Sequence, residues 1–132
     1  SLRAKMAPAA IPELPAVRRP WGGYTVLRRT RSLSVKKLFI RAAGRTSLQH
    51  HRWRSEVWHV LYGEVEVSLG GRLRRCTAGD TVVVPHGRRH RIAGLSDACV
   101  LELAFGRVLE GDITRDEDDY GRAPPRRGVN RP

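Results

Sequence analysis

The stretch Glu64-Val65-Glu66-Val67-Ser68-Leu69-Gly70-Gly71 decides the fold class. Its apolar and polar residues alternate strictly, which is the period of an extended chain with one wet face. Val65, Val67 and Leu69 therefore point inward, and Glu64 and Glu66 point toward water. Gly70-Gly71 then supplies the positive backbone torsions of a tight hairpin. Working outward, short apolar and β-branched runs recur at residues 24–27, 35–40, 57–62, 81–84 and 99–105, punctuated by Gly and Pro. None of them carries a capped helical period. Short strands separated by turn signals predict an all-β antiparallel sandwich or small barrel.

The 132 residues suffice for one domain, since a chain of this size buries roughly two-thirds of its unfolded surface without needing disulfides or a structural metal. No apolar run approaches the ~20 residues of a membrane-spanning helix, and residues 1–10 lack the apolar centre of a secretory signal. The expectation is a cytoplasmic protein with no membrane partner. Cys76 and Cys99 have no C-x-x-C spacing and read as buried apolar side chains. A net charge of +12 favours an anionic ligand. The 22 Arg and 3 Lys are dispersed, however, with no zinc-finger spacing and no long basic helix. The expected partner is thus a small anion and not nucleic acid. Glu110, Asp112, Asp116, Glu117, Asp118 and Asp119 concentrate six of the thirteen carboxylates. Residues 112–119 read as a short helix or an extended arm, and the acidic 110–119 segment most simply as a solvated face.

Two glycine-bounded segments flank the hairpin. The first runs from Gly44 through His50-His51-Arg52 and Glu56 to Gly63. The second runs from Gly79 through Pro85-x-Gly87 and His90 to Gly94. Together they resemble the two motifs of the cupin superfamily, with Gly94 in place of a terminal Asn. The resemblance implies an antiparallel double-stranded β-helix, a jelly-roll barrel holding one metal ion. The first motif admits two registers. Pairing His50 with position 52 would aim the permanent charge of Arg52 at a cation, a repulsion costing several kcal/mol when buried. Pairing Gln49 with His51 puts two neutral donors on one face, turns His50 away, and lets Glu56 arrive from the neighbouring strand. With His90 this set offers two imidazoles, a carboxylate and an amide oxygen to a divalent metal, Zn foremost, with Mn, Fe, Co or Ni as alternatives.

A longer pattern supports the second register. Arg19-Pro20-Trp21-Gly22, Ser47-Leu48-Gln49-x-His51-x4-Glu56-x-Trp58, and Asp112-Ile113-x-Arg115 through Glu117-Asp118-x-Tyr120-Gly121-Arg122 resemble the type II mannose-6-phosphate isomerase family. The likeness spans residues 19–122, leaving residues 1–18 as a flexible lead-in and residues 123–132 as a flexible tail. In that family the cupin domain is usually fused to a mannose-1-phosphate guanylyltransferase, whose glycine-rich phosphate loop has no counterpart in these 132 residues. The resemblance implies interconversion of mannose 6-phosphate and fructose 6-phosphate, a metal held by Gln49, His51, Glu56 and His90, and a homodimer. It also makes Arg122 a substrate- or phosphate-positioning residue and Lys36 an inward, strand-borne cation, either able to assist proton transfer. The chain departs from the family where three histidines commonly stand, here His51-Arg52-Trp53, and at Val57, commonly His.

Other residues read more plainly. His59 shares the outward parity of Val57 and Leu61, and His86 falls in a rim turn. Trp58 shares the inward parity of Glu56 and fills the barrel, and Trp21 and Trp53 read as packing. Three other functions stay open: a ferrous oxygenase using His51, Glu56 and His90, a non-catalytic cupin binding a sugar phosphate or nucleotide sugar, and a partner of a separate guanylyltransferase.

Overall fold

The computed structural model describes residues 14–109 and 111–124. The described residues contain eleven strands and no helix. In chain order these are β1 (Val17–Arg19), β2 (Gly22–Arg29), β3 (Leu33–Ile40), β4 (Leu48–His50), β5 (Arg54–Tyr62), β6 (Glu64–Leu69), β7 (Arg72–Thr77), β8 (Thr81–Val84), β9 (His90–Gly94), β10 (Ala98–Gly106) and β11 (Thr114–Glu117). They form two antiparallel sheets, one ordered β1-β2-β3-β10-β5-β8 and the other β11-β4-β9-β6-β7. This is the all-β, double-stranded β-helix expected from the sequence. Strand pairing already begins at Val17, inside the span read as the lead-in. Residues 1–13 and 125–132, which include most of the two terminal segments, lie outside the described residues.

Alternation governs which side chains meet. Along β6, Val65 and Val67 are buried while Glu64 and Glu66 are not, and the turn into β7 uses Gly70 and Gly71 with φ of 56° and 82°, values that favour residues without a Cβ. Along β5, Glu56, Trp58 and Val60 are buried at alternate positions. The registers join these positions into rows across the first sheet: Ser34–Ala104–Glu56–Val84 and Lys36–Glu102–Trp58–Val82. Below them Leu38, Ile40, Val60, Val65, Val67, Val100 and Ile92 close one end of the barrel as an apolar core. Cys76 and Cys99 are buried, as read from the sequence. The barrel is thus oily at one end and polar at the other.

Gly94, which stands where the second motif has Asn, has a steric reason. A Cβ there would lie 2.4 Å from the Arg41 carbonyl oxygen, where Ala42 bridges to Gly94 and Ala43 N–H bonds the Gly94 carbonyl.

Residues 112–119 are an extended arm, not a helix. β11 pairs with β4 across a bulge, and the acidic residues around it each meet specific groups. Asp112 accepts from the backbone N–H of Arg52 and Trp53. Asp116 bonds His50 Nδ1, Asp118 grips Arg122, and Asp119 pairs with Arg45. The expectation of a merely solvated face is corrected here: β4 leaves an open sheet edge, and a strand whose carboxylates match the cations beneath it covers that edge.

Candidate metal centre and cavity

Three residues from separate segments converge at the polar end. His51 lies in the loop after β4, Glu56 on β5 and His90 at the start of β9. Their ligand atoms all lie within 4.8 Å of one another, and the side chains are 1% exposed. His51 Nε2 is 3.2 Å and His90 Nε2 3.5 Å from Glu56 Oε1. The other ring nitrogens are held from behind: His51 Nδ1 lies 2.6 Å from the Asp112 carbonyl oxygen and His90 Nδ1 2.9 Å from that of Arg88. A carbonyl only accepts, so each Nδ1 carries the proton and each Nε2 turns a lone pair toward Glu56.

Both Glu56 oxygens and His90 Nε2 are buried with no hydrogen-bond partner among the described residues. Buried lone pairs that converge and are left unsatisfied fit a divalent cation, which would repay the desolvation of all of them at once. Burial pushes the Glu56 carboxyl up, and hydrogen bonds and positive charge from His51 and His90 in their protonated form outweigh it and hold the group below the usual carboxylate range. A divalent cation bound by the neutral imidazoles would supply that positive charge in their place.

Gln49 and His90 are cross-strand partners between β4 and β9, which puts their side chains on the same face. The Gln49 amide oxygen accepts from Ser47 Oγ at 2.7 Å. His50 bonds Asp116 through its Nδ1 at 2.9 Å.

Beside the cluster lies a cavity of about 300 Å³. Its wall includes Gln49, Trp58, Ser34, Glu102 and six cations: Arg19, Arg29, Lys36, Arg54, Arg115 and Arg122. Lys36 lines it, its ammonium 4.7 Å from the centre of the Tyr24 ring. Arg122 also lines it, but its Nε and Nη2 bond the two oxygens of Asp118 at 2.8 and 2.9 Å. Contact with the metal-type cluster is made by Arg54, whose Nη2 is 3.3 Å from His51 Nε2, and by Trp58, whose ring meets that of His90 edge-on at 5.4 Å.

Sequence reasoning missed Arg54 and Glu102. Arg54 has the parity of Glu56 and Trp58, and that signal was available. A guanidinium therefore does reach the cluster, though from position 54 and not 52, and with Glu56 Oε2 4.0 Å from its Nε. Glu102 is a lone carboxylate at an inward position of an apolar strand. Burial, and then the neighbouring Glu56 charge, push it up to about 8, against the opposing pull of Lys36 and Arg54. His59 bonds Thr81 Oγ1 at 2.7 Å on the outward side of β5, and His86 is exposed in its turn. Trp53, half-exposed, stacks under Arg52 at 4.5 Å.

The sequence matches the family model described as mannose-6-phosphate isomerase C-terminal over residues 11–118. Among curated relatives, a xanthan biosynthesis protein, XanB of Xanthomonas campestris, is 35% identical over 109 residues, covering 80% of this chain and 23% of its own. A mannose-1-phosphate guanylyltransferase of Klebsiella pneumoniae is 34% identical over 107 residues, covering 79% and 23%. The chain thus spans about a quarter of the length of the relatives it matches. Among solved structures, KdgF from Halomonas sp. superposes with a TM-score of 0.59 at 25% identity, covering 64% of this chain and 78% of that one. An RmlC-like cupin from Shewanella frigidimarina superposes with a TM-score of 0.60 at 23% identity, covering 66% and 77%. That second likeness speaks for the fold alone.

Proposed function

Because this chain belongs to the mannose-6-phosphate isomerase C-terminal family, we propose that it is a metal-dependent aldose–ketose isomerase interconverting mannose 6-phosphate and fructose 6-phosphate. The observation that carries this reading is the junction of two unlike environments: lone pairs on His51, Glu56 and His90 converge where a cavity ringed by cations ends. The isomerisation moves a proton between C2 and C1 through an enediolate. A divalent cation, Zn foremost, would supply Lewis-acid stabilisation of that developing charge without redox change. Gln49 is the proposed fourth ligand.

The remaining work falls to the chain's own groups. Asp112 and Arg88 fix the two imidazoles through their carbonyls. Ser34 Oγ and Trp58 Nε1, both buried without an acceptor among the described residues, offer hydrogen bonds to sugar hydroxyls. Lys36, across the sheet from Glu102, places a positive charge on the cavity wall and orients an anionic substrate. Arg122 forms part of that wall while its guanidinium is engaged by Asp118. The guanylyltransferase activity named for the relatives belongs to chains of which this one matches 23% and is not part of the proposal.

The test is a coupled assay for fructose 6-phosphate with the metal-loaded chain, across several hexose phosphates. Turnover of mannose 6-phosphate that a chelator stops and added metal restores is the expected result. Binding without turnover would replace the isomerase with a sugar-phosphate receptor.

A further inference from the structure

The cavity wall carries a second set of unsatisfied buried atoms, chemically opposite to the first. Ser34 Oγ, Arg54 Nε, Trp58 Nε1 and Arg115 Nε are all donors, and each is buried with no hydrogen-bond partner among the described residues. Donors left in this state call for oxygen atoms from a ligand. The four come from three strands: Ser34 from β3, Arg54 and Trp58 from β5, and Arg115 from β11. They are therefore gathered by the tertiary fold and not by any local run.

The six cations of the wall differ in how far they are already engaged. Arg19 donates to the Arg18 carbonyl and lies over Tyr24, where Lys36 also sits. Arg54 reaches the Leu109 carbonyl and His51. Arg122 is bound bidentately by Asp118, and Arg29 has a partner of its own. Arg115 stands apart in bringing a buried, unsatisfied guanidinium nitrogen to the wall without a carboxylate paired to it among the described residues.

Its position on the sheet is informative. Arg115 is the cross-strand partner of Gln49, and Gln49 is the partner of His90. Cation, amide and imidazole thus form one inward row across β11, β4 and β9. Two strand spacings separate the first from the last, about 10 Å. Arg115 and Gln49 both line the cavity, so a ligand held there meets the guanidinium at one end of the row and approaches the metal cluster at the other.

We propose that Arg115 is the phosphate anchor of the cavity, its planar fork gripping the phosphate monoester while the sugar's reacting end faces His51, Glu56 and His90. The inference rests on the sugar-phosphate reading above and assigns the specificity for phosphorylated over neutral sugars to β11.

The test uses the metal-loaded chain and two variants, Arg115→Gln and Arg115→Lys, titrated calorimetrically with mannose 6-phosphate and with inorganic phosphate, and by ligand-observed NMR with neutral mannose. Arg115→Gln is expected to weaken both phosphates about 10- to 100-fold, with metal content, melting temperature and mannose binding unchanged. Arg115→Lys, which keeps the charge and loses the fork, should recover part of that affinity. Wild-type phosphate affinity in Arg115→Gln would overturn the proposal, as would a parallel loss of mannose binding or metal, which would make Arg115 merely structural. Phosphate binding that depends on Arg115 in a protein that never turns over mannose 6-phosphate would uphold the anchor and end the isomerase reading.

Discussion

His50 and His51 are adjacent in sequence and opposite in surroundings. His51 is buried beside Glu56 with its Nδ1 on the Asp112 carbonyl, whereas His50 is tied to Asp116 near the surface. The substitution His51→Ala is expected to lower metal affinity by at least about 100-fold, since loss of even a supporting contact to a ligand costs 10- to 100-fold. His50→Ala should retain the metal. Metal analysis after dialysis reads both, and equal loss would move the ligand register. Gly94 offers a second check at this scale. The Arg41 carbonyl stands where a Cβ would go, so Gly94→Ala should destabilise the fold by about 1–3 kcal/mol, the usual cost of overpacking, as read by urea unfolding.

At the scale of the element, β11 and its flanks act as a strap. Asp112 caps two backbone N–H groups and its carbonyl holds His51, and six residues later Asp118 holds Arg122. The Arg122 side chain, with burial opposing it, holds the Asp118 carboxyl below the usual aspartate range. Because that pKa is depressed in the folded state, the contribution is fully present above the unfolded value, about 4. It is lost as pH falls from there through the lowered folded value. At neutral pH, Asp118→Asn should cost about 1.5–3 kcal/mol, the range for hydrogen bonds to charged groups. The gap between wild type and variant, measured by denaturant unfolding at a series of pH values, should close on acidification. A gap independent of pH would detach the strap's stability from this carboxylate.

The whole molecule divides its barrel into an apolar end that supplies stability and a polar end that spends some of it on unsatisfied atoms. A cation that binds only the folded chain recovers part of that cost. Metal at 100 times its Kd should add about 2.7 kcal/mol, on the order of 10 °C in melting temperature, reversible by chelator and read by thermal unfolding. An unchanged melting temperature would mean that the lone-pair cluster does not take a metal. The six cations of the cavity wall also act together over distance. Affinity for mannose 6-phosphate should therefore fall as ionic strength rises, while that for neutral mannose stays level.

The sequence by itself determined the architecture, because strand alternation and glycine turns are local properties. The period of Glu64–Leu69 and the Gly70-Gly71 turn reappear in β6 and β7. Parity along Gln49, His50 and His51 likewise separated the inward residues from the outward one. Arg54 was equally legible by parity, yet its arrival at His51 depends on where β5 lies against the loop after β4. What only the tertiary structure decided is pairing between distant segments. Nothing near residue 115 in the chain reveals that Arg115 meets Gln49, and nothing near residue 102 that Glu102 is buried beside Glu56. Those outcomes follow from strand register across two sheets, which fixes the charge and solvation of a side chain through neighbours dozens of residues away.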